Sequence, residues 1–197
     1  MARLSRVESQ ERTREQLVAT ARELFLRDGY GATSISDVAE TAGYSKGAVY
    51  SNFRSKGRLC LAVLDDIRAE QLALLTESVM RDPGAEDRLA AFAAWSEAHI
   101  GAETWTVLEV EFLTGARHDE ELRGEITARV TAIREALALL IDALAQELGT
   151  SPAMPPEQAA MTLLSLGIGL GLQRVADPSV PTTVLTDTLR LVLRLDR

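Results

Sequence analysis

Lys46, Gly47, Ala48, Tyr50, Ser51 and Asn52 share one side of a short helical pattern, while Val49 and Phe53 hold the other. A cation, hydroxyls, an amide and a methyl on one surface are the groups that bond phosphate oxygens and base edges. Lys46 and Ser51 suit either target, Ala48 can touch a thymine methyl, and the Tyr50 hydroxyl can reach a phosphate. Gly47 adds no bulk, so another backbone can come close. Such a face is too polar for a core. The chemistry it offers is contact with double-stranded DNA.

The elements that must position this face lie in 33–56, TSISDVAETAGYSKGAVYSNFRSK. Ser34 stands where an N-cap belongs, and Asp37 suits the positive end of the helix it opens. Ile35, Val38, Ala39 and Ala42 recur at helical spacing, with Ala39 small where a second helix crosses closely. Gly43 supplies the left-handed conformation that ends a helix without steric cost. Ser45 caps the next helix, and Val49 with Phe53 pins it inward. Two short helices across a glycine turn, the second polar outside, read as a helix-turn-helix whose second helix enters the major groove. Ser34, Ser36 and Ser45 join the candidate DNA contacts. Lys56 does too: with Arg54 and Arg58 it begins a long helix whose free N–H groups and cations suit a phosphate.

This stretch resembles the DNA-binding domain of the TetR family of bacterial one-component regulators, over 17–67. The likeness rests on Ala21, Leu24 and Phe25 in TARELF, on 29–35 (GYGATSI), and on Val38-Ala39, Ala42-Gly43, Ser45-Lys46-Gly47, Val49-Tyr50, Phe53 and Lys56. It covers about a quarter of the chain closely, with a looser likeness at Glu111-Phe112 and 169–174. Ser51-Asn52 stands where many members carry a larger or aromatic-plus-histidine pair, so no base preference transfers. The resemblance implies an all-α protein with an N-terminal three-helix DNA-binding domain. A long helix joins that domain to a C-terminal helical domain for ligand binding and dimerisation. It also implies an effector site enclosed by the fourth to eighth helices.

The 197 residues carry a net charge of −8, which argues against a polyanion partner until it is divided. Residues 1–58 hold ten Lys+Arg against seven Asp+Glu, +3, and the rest hold eleven against twenty-two, −11. A basic head on an acidic body orients itself on a polyanion. Aromatics are only 5% of the residues and no segment alternates in a β pattern, which favours an all-α protein. The longest apolar stretch, 161–172, is shorter than the about 20 residues of a bilayer span, so no membrane partner is expected. The charged start lacks a signal-peptide core, and Cys60 is the one cysteine. Both features fit the cytoplasm.

Residues 1–8 read as a polar arm holding Arg3 and Arg6, a solvated tail more readily than a minor-groove arm. Beyond the motif, helices are expected over 9–28, 55–80, 85–101, 103–117, 120–148, 156–176 and 182–195, about nine in all. Breaks fall at Asp82-Pro83-Gly84 and 149–156. The domain boundary is expected at 58/59: a DNA-binding head over 1–58, an effector-binding and dimerisation body over 59–197. The helix over 55–80 is shared by both and is the natural lever between them. The helix over 156–176 is apolar nearly all round, so it must be covered on every side. In a chain this small a second subunit supplies the cover. Leu163, Leu166, Gly167 and Leu170, with Leu185, Leu189 and Val192, are the expected homodimer interface, a four-helix bundle across a twofold axis. Gly167, Gly169 and Gly171 would admit the partner backbone. They do not form a nucleotide loop, because the spacing is wrong and no strand precedes them.

Both tryptophans and both histidines lie within 95–118. Phe92, Trp95, His99, Trp105, Glu109 and Phe112 are candidate lining for a small-molecule effector site, an apolar cavity with a few polar groups. Ordinary core packing is the alternative for each. No cofactor is expected. His99 with Glu103 and His118 with Asp119 offer metal donors but lack ligand spacing, and they read as solvated faces. No nucleophile–base pair stands at a recognisable spacing, and Cys60 among apolar residues is an inert thiol, so no enzyme is expected. The sequence points to a ligand-responsive repressor that binds a palindromic operator as a homodimer. The alternatives are an activator, or a small-molecule-binding helical protein whose head no longer meets DNA.

Overall fold

The computed structural model describes residues 6–81, 84–101 and 105–195, and these form nine α-helices and one 3-10 turn with no strand. The helices are α1 (Arg6–Asp28), α2 (Ile35–Ala42), α3 (Lys46–Phe53), α4 (Lys56–Met80), α5 (Ala85–His99), α6 (Trp105–Gly115), α7 (Glu120–Glu147), α8 (Pro156–Ala176) and α9 (Thr183–Leu193). Arg3, Glu103, the Asp82-Pro83 break and the side chain of Arg6 lie outside the described residues.

The chain divides into two compact units, Met1–Ile67 with Val107–Gly124, and Arg68–Thr106 with Glu125–Arg197. This moves the expected boundary at 58/59. Leu59, Cys60, Val63, Leu64 and Ile67 are completely buried in the first unit, as are Leu17 and Ala21 of α1. The first three turns of α4 are therefore head. Losing one such leucine, as in Leu17→Ala, costs about 2–5 kcal/mol.

Residues 107–124 join the head through specific packing. Tyr30 lies with its ring centroid 5.7 Å from Phe25 and 5.5 Å, edge-on, from Phe112. Gly57 has no side chain where Leu122 sits; a Cβ there would fall 2.7 Å from the leucine Cδ2. Arg58 pairs with Glu121.

The second unit is built on α5, α8, α9 and most of α4 and α7. In α9, Leu185, Leu189, Val192 and Leu193 point inward while Val184 and Leu191 remain exposed. Arg174 of α8, only 8% exposed, ties three segments together. It bonds Glu97 of α5 at 2.8 Å and donates to the Val180 carbonyl at 2.6 Å, while the Thr182 hydroxyl donates to Glu97 at 2.9 Å. Gly101, in the left-handed region at φ 71°, leaves room for that arginine: any Cβ there would collide with Arg174 Cβ. Arg88 with Glu147 and Arg190 with Glu86 add two further ion pairs.

Helix α8 corrects one expectation. Its 21 residues are long and apolar enough, by length and composition alone, to cross a bilayer, although the 161–172 stretch is not. It is built into the second unit on one side, where Ala159, Ala160, Leu170, Gly171 and Arg174 are buried. Its other side, with Met161, Ser165, Leu172 and Val175, is uncovered.

Candidate nucleic-acid interface

The helix-turn-helix is fixed by its caps. The Ser34 hydroxyl accepts from the Asp37 N–H at 3.2 Å, and the Asp37 carboxylate accepts from the Ser34 N–H at 2.7 Å, a complete capping box. That bonding holds the Asp37 carboxyl below its ordinary range, the Ser34 side chain first. Gly43 takes φ 74°, and the Tyr44 N–H reaches back to the Ala39 carbonyl at 2.8 Å to close α2. Ser45 then caps α3 by accepting from the Ala48 N–H at 3.2 Å.

Helix α3 is held from one side only. Val49 is fully buried and Phe53 is 3% exposed. The Arg14 guanidinium lies 4.4 Å over the Phe53 ring and donates to the Asn52 carbonyl at 3.2 Å. The Tyr44 hydroxyl donates to Gln16 at 3.0 Å, a second tether to α1. Lys46, Gly47, Tyr50 and Ser51 are left exposed, Tyr50 by 52%. Nothing inside the chain demands glycine at 47, since a Cβ would meet only the Ser45 hydroxyl at 3.6 Å. Its bareness faces outward. Ser51 and Asn52 both donate to the Ala48 carbonyl, at 2.9 and 2.8 Å, so their side chains lie along the helix rather than free of it. Ser34 and Ser45 are exposed, with their hydroxyls engaged in capping, and Ser36 and Ala48 are half-buried.

Lys56 departs from expectation. Its ammonium sits 4.3 Å over the Tyr30 ring and 3.5 Å from the Gly31 carbonyl, and burial pulls its pKa down. It locks the head together instead of reaching outward. Arg54 closes α3 in the left-handed region at φ 60°, where no glycine marks the turn.

The model of bacterial regulatory proteins of the tetR family matches residues 17–63, the segment that builds this head. Residues 17–63 form a TetR-family N-terminal domain. It is 33% identical over 113 residues to the HTH-type transcriptional regulator TtgR of Pseudomonas putida, covering 56% of this chain and 53% of that one. The chain thus spans about half the length of this curated relative. Reduced NemR of E. coli shares its fold at a TM-score of 0.70 and 24% identity, over 92% of this chain and 97% of the other. A tetR-family regulatory protein from Rhodococcus RHA1 aligns at 0.60 and 25% identity, over 92% and 95%.

The second unit contains a cavity of about 130 Å³. Phe92, Trp95 and Trp105, expected at an effector site, line it. His99 does not: its ring stacks on Trp95 at 5.4 Å and its Nδ1 lies 2.8 Å from the Trp95 carbonyl. Glu109 and Phe112 belong to the head unit, where Phe112 packs on Tyr30, so both are removed from the lining. Sequence reasoning missed the lining supplied by α7 and α8, although both stripes are regular: 137, 140, 141, 144 and 160, 163, 164, 167, 168.

Four of the expected interface residues are buried in the unit's own core. Leu170, Leu185, Leu189 and Val192 are 1–5% exposed and cannot also face a partner. Leu163 and Gly167 line the cavity, and Leu166 is half-buried. A Cβ on Gly171 would meet Thr106 of the same chain at 3.1 Å, so that glycine serves an internal contact. On α8 and α9 the large apolar side chains left exposed are Met161, Leu172, Val175, Val184 and Leu191.

Proposed function

We propose that this chain is a TetR-family repressor that binds a palindromic operator as a homodimer, in the cytoplasm, and releases it when a small molecule enters the body cavity. The observation that carries the reading is the exposed polar face of α3, held by buried Val49 and Phe53 and aimed away from its own unit. Two such faces, one per subunit, would read half-sites about 34–36 Å apart or a near multiple. The uncovered side of α8 and α9 supports the second copy, because exposed apolar side chains at Met161, Leu172, Val175 and Leu191 gain most by meeting their own equivalents.

Control follows from linkage: a ligand that favours a body conformation unsuited to DNA weakens DNA binding by the factor that DNA weakens the ligand, typically about 1–3 kcal/mol. Helix α4 carries Leu75 and Val79 of the cavity and Lys56 of the head on one rod, and α6 carries Trp105 and Phe112 likewise. Tyr50→Ala tests the reading. It should lose retention of a selected duplex in a gel shift while melting as cooperatively as the parent; unchanged retention would remove this face from the interface.

A further inference from the structure

The cavity of the second unit is chemically one-sided. All seventeen residues around it carry hydrocarbon or aromatic side chains or are glycine. No charged side chain lines it, and three of this unit's arginines are paired elsewhere: Arg88 with Glu147, Arg174 with Glu97 and Arg190 with Glu86. The only polar side-chain atoms on the lining residues are the indole nitrogens of Trp95 and Trp105, each buried without an acceptor. One wall is a flat aromatic ladder, Phe92 stacked on Trp95 with planes 11° apart and centroids 6.3 Å apart.

An ion placed here would give up its hydration for walls that return no opposite charge and no acceptor. A hydrocarbon would lose nothing, and an acceptor atom would meet donors only. The volume sets the scale: about 130 Å³ here, against the about 150 Å³ of an engineered dry cavity of Leu, Ile and Phe that takes up benzene. We propose that this cavity binds an uncharged, hydrocarbon-rich molecule about the size of one substituted aromatic ring, with acceptors tolerated and ionised groups excluded. This names the chemistry of the effector reading above and rests on it.

The experiment is titration of the full chain, without DNA, by calorimetry and tryptophan fluorescence. The probes are toluene and acetophenone, set against benzoate and benzylammonium as charged counterparts of similar size. Saturable binding of both neutral probes, with the charged pair at least tenfold weaker, is expected. Charged probes binding within tenfold, or no neutral binding up to solubility, would overturn the proposal. Gly167→Leu supplies the control. A Cβ there has room, 3.8 Å from Ile100 Cδ1, so the longer side chain should fill the cavity and abolish binding while the melting temperature holds or rises. Neutral probes that bind this variant as before would place the ligand elsewhere and overturn the assignment. DNA release is read separately. If toluene binds and operator affinity stays unchanged, the control mechanism fails but the ligand chemistry stands. If only charged compounds bind and release DNA, the chemistry fails and the control stands.

Discussion

The backbone N–H of Tyr30 donates to the carboxylate of Glu111 at 3.0 Å, across eighty-one residues of sequence. It joins the turn after α1 to helix α6, and the left-handed Gly29 beside it comes so near that a Cβ would lie 3.4 Å from the same carboxylate. Phe112, next along α6, meets the Tyr30 ring edge-on. One acidic and one aromatic residue thus hold the C-terminal end of α6 in the first unit. Glu111→Ala should destabilise the head by about 1.5 kcal/mol, the low end for a hydrogen bond to a charged group because this one is exposed. Urea unfolding checks this, and an unchanged midpoint would show that the contact carries no weight.

Lys46 and Lys56 are both cations of the motif region, and the structure separates them. Lys46 is exposed, while Lys56 lies over Tyr30. Lys46→Ala should leave the melting temperature alone, weaken binding across DNA sequences and lower the salt slope of binding by about one. Lys56→Ala should cost the head about 1 kcal/mol of stability through the lost cation–π contact. Salt titrations and melts on both variants decide it; the reverse pattern would exchange their roles.

The caps and the turn of the motif were legible because they are local. Ser34, Gly43 and Ser45 each act within four residues of themselves, and helix α8 falls where its flanking prolines and Asp177 put it. What stayed hidden depends on distant partners. Nothing near Lys56 signals that Tyr30 will pass beneath it, and nothing near Glu111 signals an open N–H at Tyr30. Helix α8 is apolar on every side, so its pattern carries no phase. Sequence alone could not tell that 160, 163, 164, 167 and 168 face a cavity while 161, 165, 172 and 175 face outward. The same ambiguity put buried Leu170 at an interface.

Leu172→Glu places a charge on that outward face, where the parent leucine is 40% exposed. A dimer built there should fall apart into monomers by light scattering, with the helical content intact. A persistent dimer would move the interface off α8.

Acid should loosen the second unit. Its bond to Arg174, and next that to Thr182, hold the Glu97 carboxyl below its usual value of 4.5; Arg190 does the same for Glu86. A carboxyl depressed by folding contributes stability that is complete above its unfolded pKa and lost as pH falls through its folded one. Stability should therefore decline as pH drops below about 4.5, and Glu97→Gln should make that decline shallower while lowering stability at neutral pH. Urea midpoints at pH 3 to 7 measure it; an equally steep acid limb in the variant would take Glu97 out of the account.

Selection of bound duplexes from a random-sequence pool tests the central claim most directly: that the exposed face of α3 reads DNA twice in each assembly. Enrichment of a twofold-symmetric motif, lost with Tyr50→Ala, is the predicted result. A pool that stays random with the parent protein, or a motif that the Tyr50 variant enriches equally well, would contradict it.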